Sequence, residues 1–348
     1  MPFTKELQSI TASRDNNFNL LRIGAAMAVI LSHSFILTGN EPNALPRILG
    51  YVAVNCFFVM SGFLVCKSLL DRNSILRFLR ARALRIYPAL ILSVVFCVLV
   101  IGPLFTTYSV VDYFANSQTY KFFVTNSILV IGDVVYFLPG VFEDTIAERK
   151  VNAPLWTVFY EVYMYGAIAI IAMVLGLRSS NFEQKFTVTL SLVTLILFVI
   201  FILDTEYKII AEPALGRLVR FGAQFGMGAC LYLHRSRIKL SLWLLLIIIV
   251  VIGASSGNRL LFNTTFYLSL GYILLCLAYL PGGLLLKYNR LGDYSYGFYI
   301  FAYPIQQALI HWHPNLSTLS LFGVAMAITT IFAVASWHLI ESKALQFK

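Results

Sequence analysis

The sequence predicts an all-α integral membrane protein of about ten transmembrane helices with both termini cytoplasmic, and three observations carry that prediction. Hydrophobic residues make up 59% of the 348-residue chain and charged residues only 12%, with a mean hydropathy of +0.79; soluble domains carry about a quarter charged residues. The apolar runs are long and unbroken, as in membrane helices and unlike the alternating strands of a membrane barrel. With the N-terminus inside, 17 basic residues fall in cytoplasmic segments and 6 in outer ones, the partition that orients membrane helices.

The spans are expected at 19–39, 46–69, 86–106, 154–177, 186–204, 213–233, 238–255, 261–281, 293–311 and 317–340. The first is apolar but carries Arg22 and His33. Between the second and third lies a basic cytoplasmic run, RFLRARALRIYPAL, in which Pro88 opens the third span. The long outer connection that follows is acidic (Asp112, Asp133, Glu143, Asp144, Glu148). Its stretch at 120–140 is weakly apolar and interrupted by Asn126, Gly132, Asp133 and Pro139, so it reads as re-entrant or surface-lying. Pro154 starts the fourth span, and Arg178 and Lys185 hold its inner end. Asp204, Glu206 and Glu212 mark the outer link between the fifth and sixth. Arg235, Arg237 and Lys239, then Lys287 and Arg290, mark the last two internal cytoplasmic connections.

The net charge of +10 therefore reports topology and contact with anionic headgroups and excludes a nucleic-acid role. Cys56, Cys66, Cys97, Cys230 and Cys276 lie within apolar spans without CxxC spacing, as small core residues do. No cleavable leader or lipidation signal is visible near Met1 and Pro2. A single membrane domain over 1–348, with no appended soluble domain, is expected.

Ionisable groups inside spans are functional hypotheses by default. Ten residues separate Arg22 from His33; eleven helical steps come to about 1100°, so both share one face, about 16 Å apart along the axis. Ala25, Ala26, Val29 and Ser32 form a small stripe between them, along which a neighbouring helix or thin ligand can approach. Glu161 is the carboxylate in the middle of the fourth span, at a depth similar to His33. In the basic run, Arg82 and Arg85 are three apart and point the same way. Guanidinium forks so focused suit phosphate groups, and a phosphorylated ligand entering from the cytoplasm is the preferred reading. Asn55, Tyr160, Tyr163 and Tyr165 are candidates to line the same cavity. Each assignment has a structural alternative: membrane anchoring for the arginines, a helix-locking ion pair for Glu161, a packing role for His33 and the tyrosines. His311 and His313 lack the carboxylates or cysteines of a metal site, and His234 and His338 read as interfacial. No metal is expected.

These segments together resemble acyltransferase family 3, a largely bacterial family of ten-span membrane proteins. The opening NFNLLRIGAAMAVILSHSF is similar to its arginine–histidine motif, at Arg22 and His33. FFVMSGFLV follows in the second span, and RALRIYP resembles the paired-arginine motif at Arg82 and Arg85. PLWTVFYEVYMY resembles the tryptophan and glutamate stretch, at Trp156, Glu161 and Tyr165. LGDYSYGFYIFAYP resembles the penultimate span, and WHLIESKAL the closing one, with Glu341. The chain departs from the family at Asn19, where an aspartate is common, at Ala302 and Tyr303, where a histidine often stands, and at Lys343, where a proline often follows.

The resemblance implies transfer of an acyl group, usually acetyl, from acetyl-CoA to a sugar hydroxyl of a surface or secreted glycan, in a bacterial inner membrane. It implicates His33 in the transfer, with Glu161 orienting or stabilising the imidazole, and Arg22, Arg82 and Arg85 in handling the donor. Asn55, Trp156 and Tyr165 are then candidates to bind the acceptor. Acetyl-CoA is expected as a co-substrate, with no permanently bound cofactor. The expected partners are acyl-CoA, a lipid-linked or nascent glycan, membrane lipids and polysaccharide-assembly proteins. Whether His33 is a general base or carries the acyl group as a nucleophile is open from the sequence. The competing reading is a proton-coupled transporter or flippase with His33 and Glu161 as a proton relay; it lacks an inverted repeat and matched broken helices.

Overall fold

The computed structural model describes residues 4–13, 15–40, 44–129, 134–145 and 149–348. Arg14, Gly132, Asp133 and Glu148 of the sequence reading lie outside the described residues. A strand β1 (Thr4–Glu6) and short helix α1 (Leu7–Thr11) precede α2 (Phe18–Leu37), α3 (Leu45–Arg72) and α4 (Ile75–Phe96). A π-helical turn, Cys97–Ile101, carries α4 into α5 (Gly102–Phe105). Then follow α6 (Val110–Ala115), α7 (Ser117–Ile128), α8 (Leu155–Val174), α9 (Phe182–Tyr207) and α10 (Pro213–Leu233). The chain continues through β2 (Lys239–Ser241), α11 (Leu242–Ala254), α12 (Arg259–Tyr279), α13 (Ser295–Trp312) and α14 (Thr318–Ser336). A second π-helical turn, Trp337–Glu341, carries α14 into a final short helical stretch that runs to Phe347.

Every expected span coincides with a helix. Seven described helices are long and apolar enough to cross a membrane: Phe18–Leu37, Leu45–Arg72, Ile75–Phe105, Leu155–Val174, Phe182–Tyr207, Arg259–Tyr279 and Thr318–Phe347. Of the other three, α11 is short at 13 residues, and α10 and α13 carry polar side chains such as Arg217 and Gln306. Local chemistry explains several helix starts. Asn116, Glu212, Asn258 and Ser317 each accept a backbone N–H of the first turn, the satisfaction that a helix N-terminus needs. The interrupted stretch expected at 120–140 resolves into α7, ended by Leu129 in a left-handed conformation, and, beyond the undescribed residues, a segment without helix or strand.

The chain divides into two compact units. The first comprises Met1–Leu21, Asn55–Leu79 and Met164–Gly292. In it, β1 and β2 pair antiparallel, with Lys5 opposite Leu240, and Asn17 donates its amide to the carbonyls of Ala278 and Pro281. Helices α3 and α10 meet backbone to backbone. A Cβ at Gly62 would lie 1.8 Å from the Phe225 carbonyl oxygen, and one at Gly228 would lie 2.0 Å from that of Val59. Only glycine permits such an approach, the small-residue packing usual between membrane helices.

The second unit comprises Arg22–Val54, Arg80–Tyr163 and Asp293–Lys348. It holds α13, which packs along α14 and touches it most closely at Gly297, where a Cβ would lie 2.7 Å from Ala333 Cα. Pro304 interrupts α13 and has no N–H to offer the Ile300 carbonyl one turn earlier. Two side chains satisfy that carbonyl instead: Ser93 Oγ donates at 2.9 Å and Asn152 Nδ2 at 2.8 Å. Freed carbonyls inside a membrane require such partners, so Pro304 ties α4 and the segment before α8 to the middle of α13.

Candidate active site

Four charged residues from four parts of the sequence meet near the start of α13. Arg22 Nη1 lies 2.8 Å from Asp293 Oδ2, and Arg85 Nη2 lies 2.5 Å from the same oxygen. Arg85 Nη1 reaches Glu341 Oε2 at 3.6 Å. Asp293 is held from its other oxygen by the Ser295 hydroxyl and backbone N–H, and Glu341 Oε1 accepts from Ser336. The rings of Tyr296 and Trp337 flank the Arg85 guanidinium at 5.9 and 6.0 Å. Two guanidinium groups and two carboxyl groups thus meet in a site whose side chains are mostly buried, with Glu341 only 2% exposed. Compensation of this kind is what allows ionised groups there at all.

The sequence reading did not pick out Asp293, and it took Arg85 as a ligand for phosphate. The structure gives both terminal nitrogens of Arg85 a carboxylate neighbour, so Arg85 belongs first to this network. Arg82, one turn earlier, is half-buried on the same helix.

One face of α2 carries both Arg22 and His33 toward the chain that starts at Asp293. The His33 ring meets the Tyr303 ring edge-on, with centroids 4.9 Å apart. One turn beyond Tyr303, Gln306 Nε2 donates to the Ile30 carbonyl at 2.9 Å and to Ser34 Oγ at 2.7 Å. Arg22 pairs with Asp293 and His33 with Tyr303, steps of eleven and ten residues, so α2 and α13 run side by side in one direction. Gln306 is fully buried, and its Oε1 has no hydrogen-bond partner among the described residues. One residue on, Gln307 Nε2 donates to the Lys150 carbonyl at 2.9 Å, which holds the segment before α8 against α13.

On α8, Thr157 Oγ1 and the Tyr299 hydroxyl share a 2.5 Å hydrogen bond. Trp156 meets the Tyr160 ring edge-on at 5.9 Å. Glu161 lies half-buried one turn further along. Asn55 and Tyr165 belong to the other unit. There the Tyr165 hydroxyl lies 3.5 Å from Ser61 Oγ. Asn55 is fully buried with neither amide atom hydrogen-bonded among the described residues. Gln224 of α10, which the sequence reading passed over, shares that state. Among the described residues, no group of three or more His, Cys, Asp or Glu side chains is arranged to hold a metal ion. The ring of His311 instead packs edge-on against Phe105 at 5.3 Å.

Arg22, His33, Arg82, Arg85, Trp156, Glu161 and Glu341 of the resembling motifs fall in the second unit and Tyr165 in the first, and a comparison with known families decides the assignment. A sequence profile described as an acyltransferase domain matches residues 15–338. The chain belongs to this acyltransferase family. It is 26% identical over 349 residues to a protein named O-acetyl transferase from Shigella phage Sf6, covering 95% of this chain and 96% of that one. It is 28% identical over 380 residues to a protein named Nodulation protein 10 from Rhizobium leguminosarum bv. viciae, covering 96% and 94%. No solved structure matches. In this chain Arg22, Arg85, Asp293 and Glu341 form one connected network of charges.

Proposed function

We propose that the protein moves an acetyl group from acetyl-CoA, offered at the cytoplasmic side, to a hydroxyl of a surface or secreted glycan at the outer side of a bacterial inner membrane. Ten crossings with both termini inside complete the proposal. The observation that carries it is the pairing of α2 with the chain from Asp293 to Tyr303, which joins an arginine–carboxylate network at one level to an imidazole about 16 Å further along. That separation suits a donor with an anionic head and a long thin arm. The name of the Shigella phage relative supports acetyl as the group and oxygen as its acceptor.

In this reading Arg82 meets the phosphates of the donor, while Arg22 and Arg85, held by Asp293 and Glu341, fix the electrostatics of its path. The sugar hydroxyl attacks the thioester carbonyl as His33 takes its proton. The tetrahedral adduct collapses to the ester, and the expelled thiolate recovers that proton to leave as free thiol. A two-step route, with the acyl group resting on the imidazole before it passes to the sugar, uses the same geometry. Gln306, by holding Ile30 and Ser34 on either side of His33, fixes this part of α2 against α13. Glu161 orients the imidazole or stabilises its protonated form, directly or through a water.

Mass spectrometry of surface glycans from cells with and without the chain tests the assignment. Acetyl esters lost with the chain and restored by the wild-type gene, but not by His33→Ala, are expected. Unchanged glycan acetylation contradicts it. Substitution of Asn55, Trp156 and Tyr165 in the same assay tests their acceptor-side role.

A further inference from the structure

The outer connection between α4 and α8 builds a groove of about 450 Å³ that none of the preceding chemistry uses. Its lining includes Tyr108, Asn116, Gln118, Phe137, Glu143 and Arg149. Small-molecule sites commonly enclose about 300–1,000 Å³. From this groove we infer that the protein grips an uncharged oligosaccharide segment of its acceptor some way from the hydroxyl that reacts. The inference rests on the glycan-acylation reading and names where that glycan is recognised.

The walls are built rather than incidental. Thr106 Oγ1 donates to the Pro139 carbonyl at 2.7 Å, and the Thr107 N–H donates to the Gly140 carbonyl at 3.0 Å. Thr106 and Val141 form an isolated antiparallel bridge. Gly140 turns with φ +68°, and a Cβ there would lie 2.6 Å from Thr107 Oγ1, so the strip from Phe137 to Val141 can lie flat on Thr106 and Thr107 only with glycine at this point. From the other side, Gln118 Nε2 donates to the Phe137 carbonyl at 3.3 Å. The amide of Asn126 bonds both the N–H and the carbonyl of Val135. The Val151 N–H donates to Tyr136 O at 2.8 Å.

On this fixed frame Tyr108 and Phe137 remain 46% and 47% exposed, although each lines the groove. Aromatic faces beside side-chain amides, a carboxylate and a guanidinium form the combination that binds a sugar ring. Rings cover its C–H face, and the polar groups meet hydroxyls as donors and acceptors. Glu143 and Arg149 cancel in charge, which favours an uncharged chain over an acidic one. The groove is also connected to the proposed chemistry. Arg149 precedes Lys150, whose carbonyl is held by Gln307, one turn beyond the Tyr303 ring that meets His33.

The test is direct binding of the full-length protein in lipid nanodiscs to an array of neutral and acidic bacterial oligosaccharides. Wild type and His33→Ala should bind at least one neutral oligosaccharide of three or more sugars. The double variant Tyr108→Ala/Phe137→Ala should bind it about 10-fold or more weakly, and Glu143→Gln should weaken it independently. Both aromatic side chains are exposed, and unchanged binding of acetyl-CoA by these variants shows that they are folded. Wild type binding no neutral oligosaccharide, or equal binding by the groove variants, overturns the inference. If binding behaves as expected but wild type transfers no acetyl group from acetyl-CoA, the groove stands and the transfer reading fails.

Discussion

Replacing Asp293 by asparagine keeps the size of the side chain and removes the one charge that Arg22 and Arg85 share. Asp293 Oδ2 lies 2.8 Å from Arg22 Nη1 and 2.5 Å from Arg85 Nη2, and the carboxylate is 9% exposed. Removing one member of a buried ion pair costs about 3–5 kcal/mol, because the partner is left charged and poorly solvated. Here two cations are left, but Arg22 and Arg85 remain 19% and 17% exposed, and Glu341 stays 3.6 Å from Arg85. Those compensations put the expected loss near the lower end, about 3 kcal/mol. Equilibrium unfolding of the protein in detergent measures it. A triple variant, Arg22→Met/Arg85→Met/Asp293→Leu, should recover most of the lost stability, since well-packed apolar groups can replace a buried ionic cluster at little cost. The recovered protein should still be inactive. Asp293→Asn with unaltered unfolding free energy would refute the compensation argument, and an active triple variant would refute the functional one.

Three further outcomes follow from the same structure. Arg82→Ala should weaken acetyl-CoA binding by calorimetry about 10- to 100-fold, the loss of a charge-assisted phosphate contact of about 1.5–3 kcal/mol, and lysine should restore it only in part; unchanged binding returns Arg82 to an anchoring role. Gly62→Ala places a methyl group 1.8 Å from the Phe225 carbonyl oxygen, so α3 and α10 must separate, and unfolding should show a loss of about 1–3 kcal/mol; wild-type stability contradicts the close approach. Single cysteines at 82 and 239 in a cysteine-free background should label from one side of the membrane and those at 143, 206 and 313 from the other; labelling of 82 and 239 from opposite sides removes the ten-span topology.

Hydropathy, proline positions and loop charge made the helices legible, and each expected span is helical because in a membrane backbone polar groups must be satisfied within the segment. The shared face of Arg22 and His33 was also readable, since helical geometry alone determines it. Asp293 was not. It stands 271 residues from Arg22, and nothing local distinguishes it from any acid at the mouth of a span. A usable signal was present, however. Two arginines near helix ends needed a counter-charge, and Asp293 and Glu341 were the acids at the start of α13 and at the end of the last long helix. The π-helical turns Cys97–Ile101 and Trp337–Glu341 had no sequence mark, since packing rather than propensity inserts the extra residue. The groove was hidden for a similar reason: the polar interruptions in 120–140 read as a re-entrant or surface-lying stretch, whereas the Asn126 amide fastens the chain at Val135 and so helps to build a wall.

The central claim is that His33 handles an acyl group that arrives from one side of the membrane and leaves on the other. It is tested most directly in proteoliposomes of fixed orientation, with radiolabelled acetyl-CoA on the face of Arg82 and glycan extracted from the native membrane on the opposite face. The account predicts label in the glycan with wild type, none with His33→Ala at equal abundance, and none when the two substrates exchange sides. Undiminished labelling by His33→Ala, or labelling with acetyl-CoA supplied only from the outer face, would contradict it.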